Sequence, residues 1–174
     1  MNTNENERLY LFDRLDTGQH LHIVFMSHNA YWANVEMLSD YYENCKVQVF
    51  GKGTAYLEMA KYSKWYEPID DCDLIILRGT NYEESEFSKM KDIAHKIFKE
   101  KNKPVTVGYS YLNPNYEGIG SNKEHIVKLA KINNGDEIEI SIIIINLHPF
   151  DLINATLIMH DNKENKLVKK KTNK

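Results

Sequence analysis

Apolar and polar positions come in blocks along this chain, and the period changes from block to block. Leu21-His22-Ile23-Val24-Phe25-Met26 is a strongly apolar run between Gly18 and the polar Ser27-His28-Asn29, the pattern of a buried strand. From Tyr31 to Asn44 the apolar positions fall at Val35, Leu38, Tyr41 and Tyr42, a helical spacing without Gly or Pro. Val47-Gln48-Val49-Phe50 is a short strand ending at Gly51, and Tyr56 to Trp65 has the spacing of a short helix. Asp73-Leu74-Ile75-Ile76-Leu77 is a third strand, ending at Arg78-Gly79. The clearest helix runs from Glu84 to Lys101. Phe87, Met90, Ile93, Ala94, Ile97 and Phe98 form one stripe on it, with acids at its start and lysines at its end, matching the helix dipole. Pro104 stops it, and Val105-Thr106-Val107 follows as a fourth strand.

Short strands alternating with helices predict parallel βαβ units wound right-handed. Residues 18–132 are therefore expected to form a Rossmann-like or flavodoxin-like three-layer α/β sandwich with at least four parallel strands. Gly108 to Gly120 is expected as a loop. Ser121 or Asn122 is expected to cap a helix through Lys131. Asn133-Asn134-Gly135-Asp136 is a turn cluster. The run Glu137 to Leu147 starts as an alternating strand and becomes solid isoleucine, and His148-Pro149 breaks it. Ile153 to His160 is expected as a second β segment. Residues 133–162 then make an antiparallel β extension docked on the first domain, because two strands alone are not stable. Residues 1–17 are a polar N-terminal segment.

Composition narrows the class. The chain has 174 residues, 42% hydrophobic and 27% charged, ordinary values for a globular domain. A chain this long buries about two-thirds of its unfolded surface, enough for a core without staples. Two cysteines exclude a disulfide framework and an all-cysteine zinc site. They are expected reduced and half-buried. The seven histidines are scattered without acids or cysteines at ligand spacing, so no metal site is expected. The first residues lack the basic and apolar stretches of a secretory leader, and no apolar run approaches the length of a spanning helix. A cytoplasmic location without membrane contact is the expectation.

Net charge is −3 and changes little about the picture until its distribution is considered. Lys163 to Lys174 hold six lysines and one glutamate, a net of +5 that leaves −8 on the rest. This tail has no interleaved aromatics, so it is expected to be a solvated, disordered terminus and not a nucleic-acid arm.

In an open parallel sheet, ligands bind beyond the carboxyl ends of the strands. Four segments fall there: Ser27 to Trp32, Gly51 to Thr54, Arg78 to Tyr82, and Gly108 to Asn113. Turn chemistry explains their Gly, Ser and Asn, but not their Arg, Lys, His and Trp. His28 and Asn29 are candidates for directional hydrogen bonds, although Asn29 also suits a helix N-cap. Trp32 and Tyr109 are candidates for stacking. Lys52, with Thr54, faces an anion in one reading and forms a plain turn in the other. The spacing of Gly51-Lys52-Gly53-Thr54 is not that of a P-loop. Arg78, with Thr80 beside it, stands out because the chain has few arginines, and a guanidinium grips phosphate or carboxylate through a fixed fork. Its alternative is a salt bridge to Asp70, Asp71 or Asp73. No G-x-G-x-x-G, nucleophile elbow or Cys/His pairing marks a reaction, and no cofactor is indicated.

The opening strand Ile23 to Met26 running into Ser27-His28-Asn29, then a helix, then Lys46 to Gly51, resembles the N-terminal Rossmann-like half of two-domain (GT-B-type) glycosyltransferases. Asp73 to Leu77 resembles their third strand. The likeness covers residues 21 to about 110 and implies an acceptor-binding half whose cleft is lined by His28, Gly51 and Arg78; the donor-binding second domain is absent. Leu74 to Gly79 also resembles the amino-terminal segment of tetrapyrrole metal-chelatase large subunits. The expected function is binding of a small anionic, nucleotide- or sugar-like ligand at the carboxyl edge of the sheet. The alternative is a non-enzymatic interaction or accessory domain, a homodimer or partner subunit joined through the C-terminal β segment.

Overall fold

The computed structural model describes residues 3–27, 33–50, 69–115 and 123–161. Its elements are α1 (Thr3–Asp16), β1 (Leu21–Ser27), α2 (Ala33–Glu36), α3 (Leu38–Tyr41), β2 (Cys45–Phe50), β3 (Leu74–Arg78), α4 (Glu84–Lys101), β4 (Val105–Leu112), β5 (Glu124–Asn133), β6 (Asp136–Ile145) and α5 (Pro149–His160). The strands form one six-stranded sheet in the order β2-β1-β3-β4-β5-β6. The first four are parallel; β5 is antiparallel to β4, and β6 to β5. This is a mixed, Rossmann-like α/β fold with an antiparallel C-terminal extension, as the alternation of strands and helices predicts. The order 2-1-3-4 is the flavodoxin-like winding, not the 3-2-1-4 of a dinucleotide fold.

Each face of the sheet has its own core. Leu21, Ile23, Phe25, Leu74, Ile76, Val127 and Leu129 pack with Leu11, Val35, Leu38 and the apolar residues of α5. Val24, Met26, Ile75, Leu77, Val107, Tyr109 and Ile132 pack against Phe87, Met90, Ala94 and Ile97 of α4. The two sets alternate along each strand, as side chains on a pleated sheet must. Helix α4 has the predicted bounds and stripe, and Asn102 closes it in the left-handed region, φ 53°, with its N–H on Phe98 O. Cys45, which opens β2, and Cys72 are free thiols, and both are buried where half-burial is expected.

Five elements differ from expectation. Residues 124–133 are a strand, not a helix. Asn134 (φ 54°) and Gly135 (φ 83°) form a two-residue turn that pairs Asn133 with Asp136. Asn-Gly favours this turn type because both tolerate positive φ, and it makes the flanking segments a hairpin. Residues 149–160 are a helix, not a strand. Leu152 to Met159 are all buried, and a helix covered on every side has no amphipathic period to betray it. Its start is nonetheless written in the chain. Pro149 occupies the first turn, His148 Nδ1 accepts from Phe150 N, and the Asp151 carboxylate accepts from His148 N. Strand β4 continues to Leu112, through residues expected in a loop. The polar N-terminal segment is mostly α1, which sends Leu11 and Leu15 into the core and sits on α5, where Leu11 N donates to Asn154 Oδ1. The stretch expected as one helix after β1 contains two short ones, divided at Met37.

The approach of α5 to the sheet is set by Gly108. A Cβ there would lie 2.3 Å from Thr156 Oγ1, which itself donates to Leu152 O. Gly108→Ala should therefore lower stability by about 2 kcal/mol through overpacking. Adding Thr156→Ala removes the obstructing hydroxyl, so urea unfolding of the double variant should show a coupling of about 1 kcal/mol or more in its favour. Equal, additive losses would mean that the helix is not held at this contact.

Candidate functional site

Helix α5 meshes with β4 in a fixed ratio. Thr156 lies over Gly108, and His160 Nδ1 is 3.1 Å from Thr106 Oγ1. Four helical residues advance about 6 Å and two strand residues about 6.6 Å, so one turn of α5 matches two residues of β4, in opposite directions. The same ratio carried on sets Leu152 over Ser110 and brings the start of α5 to the carboxyl edge of the parallel strands.

At that edge a polar row crosses the sheet. Ser27 is paired with Arg78, and Arg78 with Ser110, on three adjacent strands. His125 is on β5, two residues before Val127, which is the partner of Ser110. All four positions share the parity of residues that face α5: Phe25 on β1, Ile76 on β3, Gly108 on β4, and Val127 on β5. The row crosses the gap between β1 and β3. There the winding reverses: α2 and α3 join β1 to β2 on one face, and α4 joins β3 to β4 on the other. That reversal opens a crevice in sheets of this kind.

The row is withdrawn from water. Ser27, Ser110 and His125 are buried, at 2%, 0% and 6% exposure, and Arg78 is half-buried. Burial lowers the Arg78 pKa. Burial also lowers that of His125, and the positive charge of Arg78 adds to the effect, which places the two groups within electrostatic reach of each other. Among the described residues, Ser110 Oγ and His125 Nδ1 are buried without a hydrogen-bond partner. A buried polar group left unpaired costs about 1–3 kcal/mol, so two on neighbouring strands of one edge call for an explanation.

The sequence candidates divide. Arg78 is in the row. Thr80 is exposed two residues beyond it. Tyr109 is fully buried on the opposite face, within β4. Its hydroxyl donates to Asn81 O at 2.7 Å and accepts from Glu83 N at 2.9 Å, and its ring stacks against Tyr82, Phe87 and Tyr111. It holds the 79–83 turn down, and burial pushes its hydroxyl up to about 12. His28, Asn29, Trp32, Lys52 and Thr54 lie outside the described residues. The acids near Arg78 in sequence are at the other end of β3, where Asp71 and Asp73 pair with Lys103 at 3.1 and 3.4 Å. Ser27, Ser110 and His125 were not singled out by sequence. Ser27 and Ser110 fall in the rim segments, where turn chemistry accounts for a serine, and His125 falls in the stretch expected as a helix.

No protein-family model matches the chain, and no curated protein matches it significantly. Three solved structures resemble it distantly, each at 8% identity. One is a sugar N-methyltransferase from Streptoalloteichus sp (90% of this chain, 77% of that chain, TM-score 0.28). The second is an amino pentose methyltransferase from Micromonospora echinaspora, solved with SAM bound (82%, 76%, TM-score 0.30). The third is an S-adenosylmethionine-dependent methyltransferase from Clostridium acetobutylicum (88%, 78%, TM-score 0.29). These likenesses transfer no activity to this chain. None of the three is a glycosyltransferase, and the glycosyltransferase resemblance drawn from the sequence is not supported. No helix among the described residues is long and apolar enough to cross a membrane.

Three histidines share one electrostatic sign. Burial lowers the pKa of His22, His125 and His160 below the ordinary 6.5. Each binds its proton more weakly folded than unfolded, so its contribution to stability is complete above pH 6.5 and is lost as pH falls below that value. Urea midpoints should be level from pH 8 to 7 and decline from about 6.5 downward, before carboxylates titrate. A flat profile to pH 5 would contradict the burial of these rings.

Proposed function

We propose that the protein binds a small anionic ligand, nucleotide- or sugar-like in size, at the carboxyl edge of its sheet over the β1–β3 crevice. The observation that carries this reading is the row Ser27, Arg78, Ser110 and His125, which aligns a guanidinium, two hydroxyls and an imidazole on four neighbouring strands. A phosphate or carboxylate suits it. The guanidinium offers two parallel donors, the serine hydroxyls donate as well, and a partly desolvated cation binds an anion more strongly than an exposed one. An anion also gives Ser110 Oγ a partner that the described residues do not supply.

His28, Asn29, Trp32, Lys52 and Thr54 are assigned to the same rim by chain order, since they follow the carboxyl ends of β1 and β2. In this reading Lys52 adds charge to the anion site, His28 and Asn29 give directional bonds, and Trp32 covers a ring of the ligand. Thr80 stands at the mouth. Tyr109 serves the site indirectly, by fixing the turn that follows Arg78.

Thermal melts with inorganic phosphate, citrate, ATP and UDP-glucose test this. A ligand at 100 times its Kd stabilises the fold by about 2.7 kcal/mol. For a chain of this size that raises the Tm by roughly 5–10 °C. Arg78→Ala should abolish the shift and leave the ligand-free melt within about 2 °C, whereas Arg78→Lys should keep part of it. No shift with any of the four probes, or a ligand-free melt that collapses in Arg78→Ala, overturns the reading.

A further inference from the structure

We infer that β6 is a dimerisation edge, where a second copy of this chain pairs antiparallel about a two-fold axis at Ser141. Among the described residues, β6 is the outermost strand on its side of the sheet, and it runs ten residues in unbroken register with β5. It has no bulge, proline or lysine, the usual devices that blunt an edge. It also carries four consecutive isoleucines, Ile142 to Ile145, and two of its isoleucines are strongly exposed, Ile138 at 50% and Ile145 at 45%.

The register of this pairing follows from the hairpin. The two-residue turn at Asn134-Gly135 makes Asn133 and Asp136 a hydrogen-bonded pair, and such pairs alternate along an antiparallel ladder. Even-numbered residues of β6 therefore bond to β5. Odd-numbered residues, Glu137 to Ile145, turn their N–H and C=O groups away from it. A second copy must bond through those odd positions.

With the axis at Ser141, Glu137 faces Ile145 of the second copy, Glu139 faces its Ile143, and Ser141 meets Ser141. On the other face Ile138 lies across from Ile144, and Ile140 from Ile142. No acid meets an acid, although all three acids of the strand lie at one end. Those acids are also held on their own subunit: Lys91 Nζ is 2.9 Å from Glu139, and His95 Nε2 is 2.7 Å from Glu137. The exposed isoleucines each gain a neighbour, and every outward backbone group of the strand gains a bond. A parallel arrangement would stack the acids and cannot arise from this axis. Because one patch serves both subunits, the contact closes at two copies and does not propagate.

Sedimentation velocity on the full chain tests this. The wild type should be a dimer, dissociating on dilution. Ser141→Pro removes an N–H that points away from β5, a place where an edge strand tolerates proline, and it should give a monomer with unchanged far-UV circular dichroism. Ser141→Lys sets two like charges on the axis and should do the same, so the test survives if the proline variant fails to fold. Ile142→Pro, which removes a bond to β5, should unfold the hairpin and so verifies the alternation. A monomeric wild type, or a dimer that persists in folded Ser141→Pro and Ser141→Lys, overturns the inference. A dimer lost only on removing residues 163–174 would assign the contact to the tail instead, and overturns it too.

Discussion

The contact between Thr156 and the bare backbone of Gly108 sets the spacing of an entire layer. Any side chain at 108 would lift α5 off the sheet, and α5 supplies more of the core on its face than any other helix there. Helix α1 rests on α5 in turn: Tyr10 donates to Asp161, Arg14 pairs with it at 3.4 Å, and Leu11 N bonds Asn154. The layer is thus built outward from one glycine. Because the helix is seated at that height and in that register, its successive turns meet β4 at Gly108 and Thr106. On the face that α5 covers, Arg78 is held half-buried and His125 buried.

That depth decides the chemistry. A lysine on the surface would be the cheap way to attract an anion, and this chain has many lysines and few arginines. At the β1–β3 gap it uses a half-buried guanidinium between two serines, beside a histidine disfavoured from charging. Half-burying Arg78 costs solvation, and burial lowers its pKa. Charged groups at the opposite edge are treated differently. Asp71, Asp73 and Lys103 neutralise one another, with Asp71 held below and Lys103 above their ordinary pKa values by the pair they form. At one edge the charges are paired with one another, and at the other Ser110 Oγ and His125 Nδ1 have no hydrogen-bond partner among the described residues.

Much of this fold was legible because its period was legible. The stripe of α4 and the solid apolar runs of β1 and β3 each speak through local pattern. The C-terminal third did not, for two distinct reasons. Helix α5 is buried on all sides, so its sequence has no polar face and resembles a strand. Strand β5 has both faces covered over its second half, so Leu129 to Ile132 lose the period of two that its first half shows. The strongest signals in that region were single residues: Asn134-Gly135 for the hairpin, and Pro149 with Asp151 for the helix start. Arg78 could be found because it is a rare residue at the end of a strand. Ser27, Ser110 and His125 could not, since each is ordinary in itself and acquires meaning only from strands that meet through long-range pairing.

The two surfaces left incomplete by this fold do not compete. A two-fold that pairs β6 antiparallel with itself must stand perpendicular to the sheet, because an axis lying along the strands would leave them parallel. Such an axis keeps each face on its own side and reverses the strand direction. The two α5 layers would then share one side of a continuous sheet, while the two carboxyl edges point in opposite directions. The polar rows, each ending at His125 on β5, would be separated by the β6 strands of the two copies, and neither would be covered by the other subunit. Ligand binding at Arg78 and pairing at Ser141 are therefore expected to be energetically independent to first order, as sites without shared contacts are. Any coupling between them would have to pass through β5, the one strand that carries His125 and also pairs with β6.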